Sequence, residues 1–219
     1  MGKKIDILKE KDIGAIGIGA MIVFIAIVLV AGIAASVLIQ TSGKLETQAM
    51  KSGQETIEEV STGIAVDGVL GWVSSSRVVL GAIEVRPRAG SSEIDLSETV
   101  IEMSDSTTKN LFTYNSSAFT DTGSIDGDIF TTGFYPWMNG TRFGVIVLED
   151  ADGSVSSANP IINSGDHVFL TVDVRAAFGS GGFTTRADIF GQIIPEEGSP
   201  GVIAFTTPAA YNDVVVDLQ

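Results

Sequence analysis

The side chains able to do chemistry are few, and most sit in two acidic loops. Asp121, Asp126 and Asp128 stand within Asp121-Thr122-Gly123-Ser124-Ile125-Asp126-Gly127-Asp128, and Asp150 and Asp152 within Glu149-Asp150-Ala151-Asp152-Gly153. Carboxylates this closely spaced supply the hard oxygen ligands that calcium prefers. Neither loop continues to the bidentate glutamate of an EF-hand, and Asp with Gly also builds ordinary solvated turns, the simpler reading. Two further stretches, Asn115-Ser116-Ser117 and Asn139-Gly140-Thr141, match the acceptor pattern for N-glycosylation. His167 is the only histidine and cysteine is absent. Disulfides, thiolate metal sites, cysteine nucleophiles and multi-histidine centres are therefore excluded. No nucleophile elbow accompanies His167, which reads as a partly exposed residue at the start of a strand. No phosphate-binding loop is present, and Gly17-Ile18-Gly19 lacks the preceding strand and third glycine of a dinucleotide loop. No residue is assigned a catalytic role, and no cofactor is expected apart from Ca2+ in the acidic loops.

The elements that carry these residues are set by the rest of the chain. Of 219 residues, 44% are hydrophobic and 18% charged, enough apolar material for a sizeable core. The formal net charge of -14 disfavours nucleic acid as a partner, because phosphates require clustered Lys and Arg. The N-terminus is of another kind. Residues 1–14 interleave Lys3, Lys4, Lys9 and Lys11 with Asp6, Glu10 and Asp12, and then no charged residue occurs from Ala15 to Ile39. At about 1.5 Å per residue such a run exceeds the roughly 30 Å hydrocarbon core of a bilayer. A helix apolar on all sides must be covered on all sides, by lipid or by copies of itself. Three fates are open: a permanent single-pass anchor, a signal cut after the run near Gly32-Ile33-Ala34, or a cut before the run between Gly14 and Ala15. The run is longer than the h-region of a secretory signal, about 7–15 residues.

The stretch Lys11-Asp12-Ile13-Gly14 followed by AIGIGAMIVFIAIVLVAGIAA closely resembles the precursor N-terminus of archaellins, the subunits of the archaeal swimming filament. The resemblance is dense from Lys9 to Ile39, and Gly19 at the fifth mature position differs from the Glu usual in bacterial-type pilins. It implies a leader cut by a prepilin-type peptidase between Gly14 and Ala15, and membrane staging before export. Assembly into a helical polymer would follow, of this chain alone or with paralogous archaellins, forming an extracellular filament for motility. Gly17, Gly19, Phe24, Val28 and Gly32 are the helix residues expected to meet other subunits. Archaellins are often N-glycosylated, which adds weight to Asn115 and Asn139. Two alternatives remain: an archaeal adhesive pilin with the same leader and helix, and a single-pass cell-envelope binding module.

After Ile39 the helix is expected to continue, with Leu45, Ala49, Ile57, Val60 and Ile64 forming an approximate apolar stripe that Gly43 and Gly53 weaken. Beyond Gly63, runs rich in Val, Ile, Phe and Thr predict strands at 66–74, 78–85, 94–103, 143–149, 167–175, 183–194, 201–206 and 214–218. Asp152-Gly153 is a hairpin signal, and 105–139 reads as long polar loops around short strands. The expected fold class is α+β: a long N-terminal hydrophobic helix followed by an antiparallel β-sandwich, immunoglobulin-like. The expected division is a cleaved leader at 1–14, an assembly helix at 15–62 and an outer β-domain at 63–219.

Overall fold

The computed structural model describes residues 2–125, 127–130, 139–179 and 181–219, with side chains from Gly14 onward except at Ala15. The chain divides into two compact units, Met1–Gln54 and Glu55–Gln219. The first is occupied by helix α1, which runs Gly2–Ser61 without interruption. Gly43 and Gly53 do not break it. Each costs about 1 kcal/mol relative to Ala, too little to stop a helix of this length.

Among the described residues, the second unit has eleven strands: β1 (Ile64–Ser74), β2 (Arg77–Pro87), β3 (Ile94–Asp95), β4 (Val100–Ser104), β5 (Lys109–Asp121), β6 (Arg142–Glu149), β7 (Ile161–Ile162), β8 (His167–Val172), β9 (Asp188–Ile194), β10 (Gly201–Thr206) and β11 (Val215–Asp217). Nine of them form one sheet in the order β10-β9-β4-β5-β6-β8-β2-β1-β11, and β3 pairs with β7. All neighbours are antiparallel except β5 and β6. The sheet curls until its ends approach: Gly201 at the start of β10 lies against Ile64 and Val66 of β1. The side chain of Gln219 accepts the N–H of Ala204 in β10 (2.8 Å), while its backbone carbonyl accepts from Val69 in β1 (3.2 Å). Inside the curl, alternate residues of facing strands make one core, including Ile83, Ile101, Phe112, Phe143, Leu170, Ile193 and Ile203.

Several expected boundaries move. The 94–103 run is two strands, because Ser97 and Thr99 close a turn on Asp95. The 167–175 run ends at Val172, where the Asp173 carboxylate accepts the N–H of Ala176 and starts the single-turn helix α2 (Val174–Ala177). Asp152-Gly153 does not join adjacent strands directly. It lies in a long excursion between β6 and β8, which pair with each other. The largest departure is at 105–139, where the polar stretch contains β5, the longest strand. Phe112 and Ala118 are its buried residues, and its register against β6 slips between Tyr114 and Phe119. At that slip Gly144 of β6 faces Ala118, whose carbonyl oxygen stands 2.6 Å from where a Cβ would be.

The chain leaves the helix through a pinned joint. Thr62 is buried, its carbonyl accepts from Ser199 N–H (2.8 Å), and Gly63 O accepts from Arg88 N–H (2.8 Å). Gly198 makes this possible: its φ is +97°, and a Cβ there would lie 2.3 Å from the Thr62 carbonyl oxygen. We therefore expect Gly198→Ala to destabilise the β-domain by at least about 2 kcal/mol, through overpacking and unfavourable φ together. Thermal unfolding followed by near-ultraviolet circular dichroism measures this, and an unchanged midpoint would show that the joint does not depend on Gly198.

Candidate assembly interface

From Met21 to Val30 the sequence places ten apolar residues in succession, almost three helical turns, so no polar face exists there. The structure presents this surface uncovered. Phe24 is 68% exposed and Val28 53%, and Ile16, Ile22, Leu29, Ile33 and Leu38 are likewise open. The segment is long and apolar enough to cross a bilayer by length and composition. Its glycines have no packing reason within the chain: a Cβ at Gly17, Gly19 or Gly32 would meet nothing within 4 Å. Glycines do, however, let a second helix backbone come close. Gly14 lies in the helix and is exposed, with the backbone of Ala15 continuing it.

The two sequons differ in setting. Asn139 is exposed, and its side-chain oxygen accepts both the N–H (3.2 Å) and the hydroxyl (2.9 Å) of Thr141. Asn115 is half-buried at the slip in β5, not in a loop, and accepts the N–H of Ser117 (3.2 Å). In both, the asparagine side chain closes a turn on the residue two positions along.

The acidic candidates separate. Asp121 accepts the hydroxyl of Ser124 (3.0 Å) and Asp128 the N–H of Phe130 (2.9 Å), both local turn closures. Asp126 lies outside the described residues. Asp150 and Asp152 come together with a third carboxylate that the sequence reading did not include, Asp166. One oxygen from each lies within 4.8 Å of the others, and Asp166 is fully buried. Asp150 accepts from Gly153 N–H (2.7 Å) and Asp152 from the Asn163 amide (2.7 Å), and Asp166 takes the N–H of Asn163 (2.8 Å). Hydrogen bonds from the Ser154 side chain, the Asn163 side chain and the Ser154 N–H hold the Asp152 carboxyl below the usual range. Asp166 comes from the other end of the excursion, 14 residues after Asp152. Only its place beside Asn163 and Gly165, just before a strand, marked it as a turn residue. A second cluster, Asp67, Glu84 and His167, joins three neighbouring strands. His167 does open β8, partly exposed, with Nδ1 3.9 Å from Glu84 Oε1. Arg86 ion-pairs with Asp67 at 2.5 Å, so that cluster holds its own cation.

Comparison with known proteins places this architecture. The family model for archaeal-type flagellin matches residues 14–205. Flagellin B2 of Methanocaldococcus jannaschii is 44% identical over 220 residues, covering 99% of this chain and 100% of that protein. Flagellin B1 of Methanococcus voltae is 41% identical, covering 94% of this chain and 95% of that protein. Among solved structures, archaeal flagellin FlaB1 of Methanocaldococcus jannaschii superposes with a TM-score of 0.66 at 34% identity, over 72% of this chain and 97% of that one. The archaeal flagellum of Methanospirillum hungatei shares the fold, with a TM-score of 0.62 at 16% identity over 91% and 98% of the two chains. A model matching most of the chain, and relatives aligned along nearly all of it, lead to one conclusion: the chain belongs to the archaeal-type flagellin family.

Proposed function

We infer that this chain is a structural subunit of the archaeal swimming filament and polymerises through α1. The observation that carries the reading is the uncovered, charge-free and almost wholly apolar surface of Ile16–Ile39, in a chain whose β-domain has its own closed core. Burying each large apolar side chain of that surface contributes about 1.5–3 kcal/mol, repeated in every subunit. Contacts of this strength between identical rods suit a mechanical role, and none of it calls for turnover. The reading of the chain as non-catalytic rests on that and on its family.

Processing follows from the same physics. Residues 1–14 carry seven charged side chains, Lys3, Lys4, Asp6, Lys9, Glu10, Lys11 and Asp12. A charge at the centre of an apolar bundle costs about 2.5–3.5 kcal/mol even on lenient scales. A prepilin-type peptidase cutting between Gly14 and Ala15 would remove all seven and license entry into the filament. The division into leader 1–14, assembly helix 15–62 and outer domain 63–219 belongs to this proposal, as do glycans on Asn115 and Asn139. Asn139, exposed with its side chain held by Thr141, is the better presented acceptor. Asp150, Asp152 and Asp166 would hold a divalent cation of the calcium type, since all three offer hard oxygen and the buried Asp166 carboxylate gains from a positive charge. Such an ion would tie the two ends of the β6–β8 excursion together.

Three outcomes are expected. Mature protein from filaments begins at Ala15, and Gly14→Val leaves uncut precursor in the membrane; N-terminal sequencing that starts at Met1 in assembled material contradicts this. Val28→Asp abolishes polymerisation, because each subunit would bury an unpaired carboxylate at a cost of several kcal/mol. Normal filaments of that variant, seen by negative-stain electron microscopy, would remove α1 as the polymerising element. Finally, millimolar CaCl2 should raise the thermal midpoint of the β-domain, and Asp152→Asn should shrink the rise. Identical midpoints with CaCl2 and with EDTA would leave the cluster as turns closed by backbone N–H groups alone.

A further inference from the structure

Asn139 and Gly140 make the single Asn-Gly pair of the sequence. The glycine is imposed by packing. A Cβ at Gly140 would stand 2.6 Å from the Ala176 carbonyl oxygen and 2.7 Å from Ala177 Cα in α2, so no larger residue fits after Asn139. The Gly140 nitrogen is therefore shielded by no side chain of its own. Among the described residues, neither the Gly140 N–H nor the Asn139 side-chain nitrogen donates a hydrogen bond. The Asn139 side-chain oxygen, by contrast, accepts two, from the Thr141 N–H (3.2 Å) and the Thr141 hydroxyl (2.9 Å). A backbone N–H can only donate, which fixes the amide oxygen, and not the nitrogen, on the Thr141 side.

We propose that Asn139-Gly140-Thr141 is a self-modifying site, at which the Gly140 nitrogen attacks Asn139 Cγ and the asparagine deamidates through a cyclic imide. In the first step the Gly140 N–H gives its proton to solvent, the nitrogen bonds to Cγ, and a ring closes through Asn139 Cα and Cβ. The side-chain oxygen takes the negative charge. Both Thr141 donors already bond that oxygen, so they stabilise it as an oxyanion. Nucleophile and carbonyl belong to adjacent residues of one chain, so their proximity is built in. The Cγ–Nδ2 bond then breaks, and Nδ2 takes up a proton and leaves as ammonia. Water adds to either carbonyl of the ring, and ring opening leaves an aspartyl or an isoaspartyl residue at position 139. Asn115 is the internal contrast. Its oxygen accepts the Ser117 N–H (3.2 Å), but it lies within β5 and is followed by Ser116, whose Cβ crowds the nucleophile. The isoaspartyl product lengthens the backbone by one carbon beside Gly140, where α2 leaves no room, and so loosens the turn that Arg142 N–H closes on Asn139 O (3.1 Å). The inference stands apart from the filament reading. It touches the glycan reading in one way, because a glycan on Nδ2 caps the nitrogen that has to leave.

The test uses the full chain, made in a host without N-glycosylation, purified in detergent and incubated at neutral pH in heavy-oxygen water. Mass spectrometry follows the peptides that cover Asn139 and Asn115. Label should enter position 139 in both aspartyl and isoaspartyl forms, while Asn115 stays an amide over the same time. Thr141 is exposed, and Thr141→Val keeps the backbone donor while removing the hydroxyl. That variant should slow conversion about fivefold, the rate equivalent of one modest hydrogen bond in solvent. Thr141→Ser, which keeps the hydroxyl, should hold the parent rate. A turn that merely kept the asparagine still would give the opposite sign, since loosening it speeds the attack. The proposal is overturned if position 139 stays an amide, converts no faster than Asn115, or yields the aspartyl form alone. It is equally overturned if Thr141→Val converts as fast as the parent or faster, or if Thr141→Ser is as slow as Thr141→Val.

Discussion

Between Ile16 and Ile39 the helix offers apolar surface in every direction, and the structure leaves that surface open. Water cannot be its neighbour for long, since the free energy of exposure grows with each of these side chains. Two surroundings satisfy it, the hydrocarbon of a bilayer and the same helix of other subunits. In the proposed function they are successive stages rather than alternatives. Within the helix, charged residues stand only before Ala15 and after Ile39, and the span between them contains the small residues Gly17, Gly19 and Gly32.

The β-domain meets a different requirement, which is to bury its own apolar side chains without the helix's partners. It does so with a core enclosed by a single curled sheet, fastened at the meeting of its ends by Gln219 and at the helix exit by Thr62, Gly63 and Gly198. With cysteine absent, no covalent link reinforces it, so packing and turn closure carry the whole load. Carboxylates do much of that closure, at Asp95, Asp128, Asp150 and Asp173. An acidic composition thus serves the fold locally while keeping the exterior hydrated.

The helix and the class of protein were legible because they depend on composition over a long window, and no tertiary context can hide a charge-free run of this length. Strand positions were legible where both faces of the sheet are covered, as in β2, β6 and β8, whose Val, Ile, Leu and Phe content is dense. They were not legible in β5. That strand lies between β4 and β6, so its backbone is held on both sides by hydrogen bonds, and its side chains can be Asn, Ser and Thr. Its direction was equally hidden, because a parallel pairing with β6 is set by the route of the chain and leaves no local trace. The acidic cluster shows the same limit. Asp150 and Asp152 announce themselves by proximity in sequence, whereas Asp166 joins them only after the β6–β8 excursion has closed.

In the proposed filament, helices pack directly against one another, without lipid, at the centre of a polymer whose surface is made of β-domains. Helical reconstruction of assembled filaments by electron cryo-microscopy measures that arrangement directly. The result expected is continuous density for residues 16–39 at the filament axis, with side chains of several subunits in contact and the β-domains outside. Lipid density between the helices, or β-domains joined along the axis with α1 at the periphery, would contradict it.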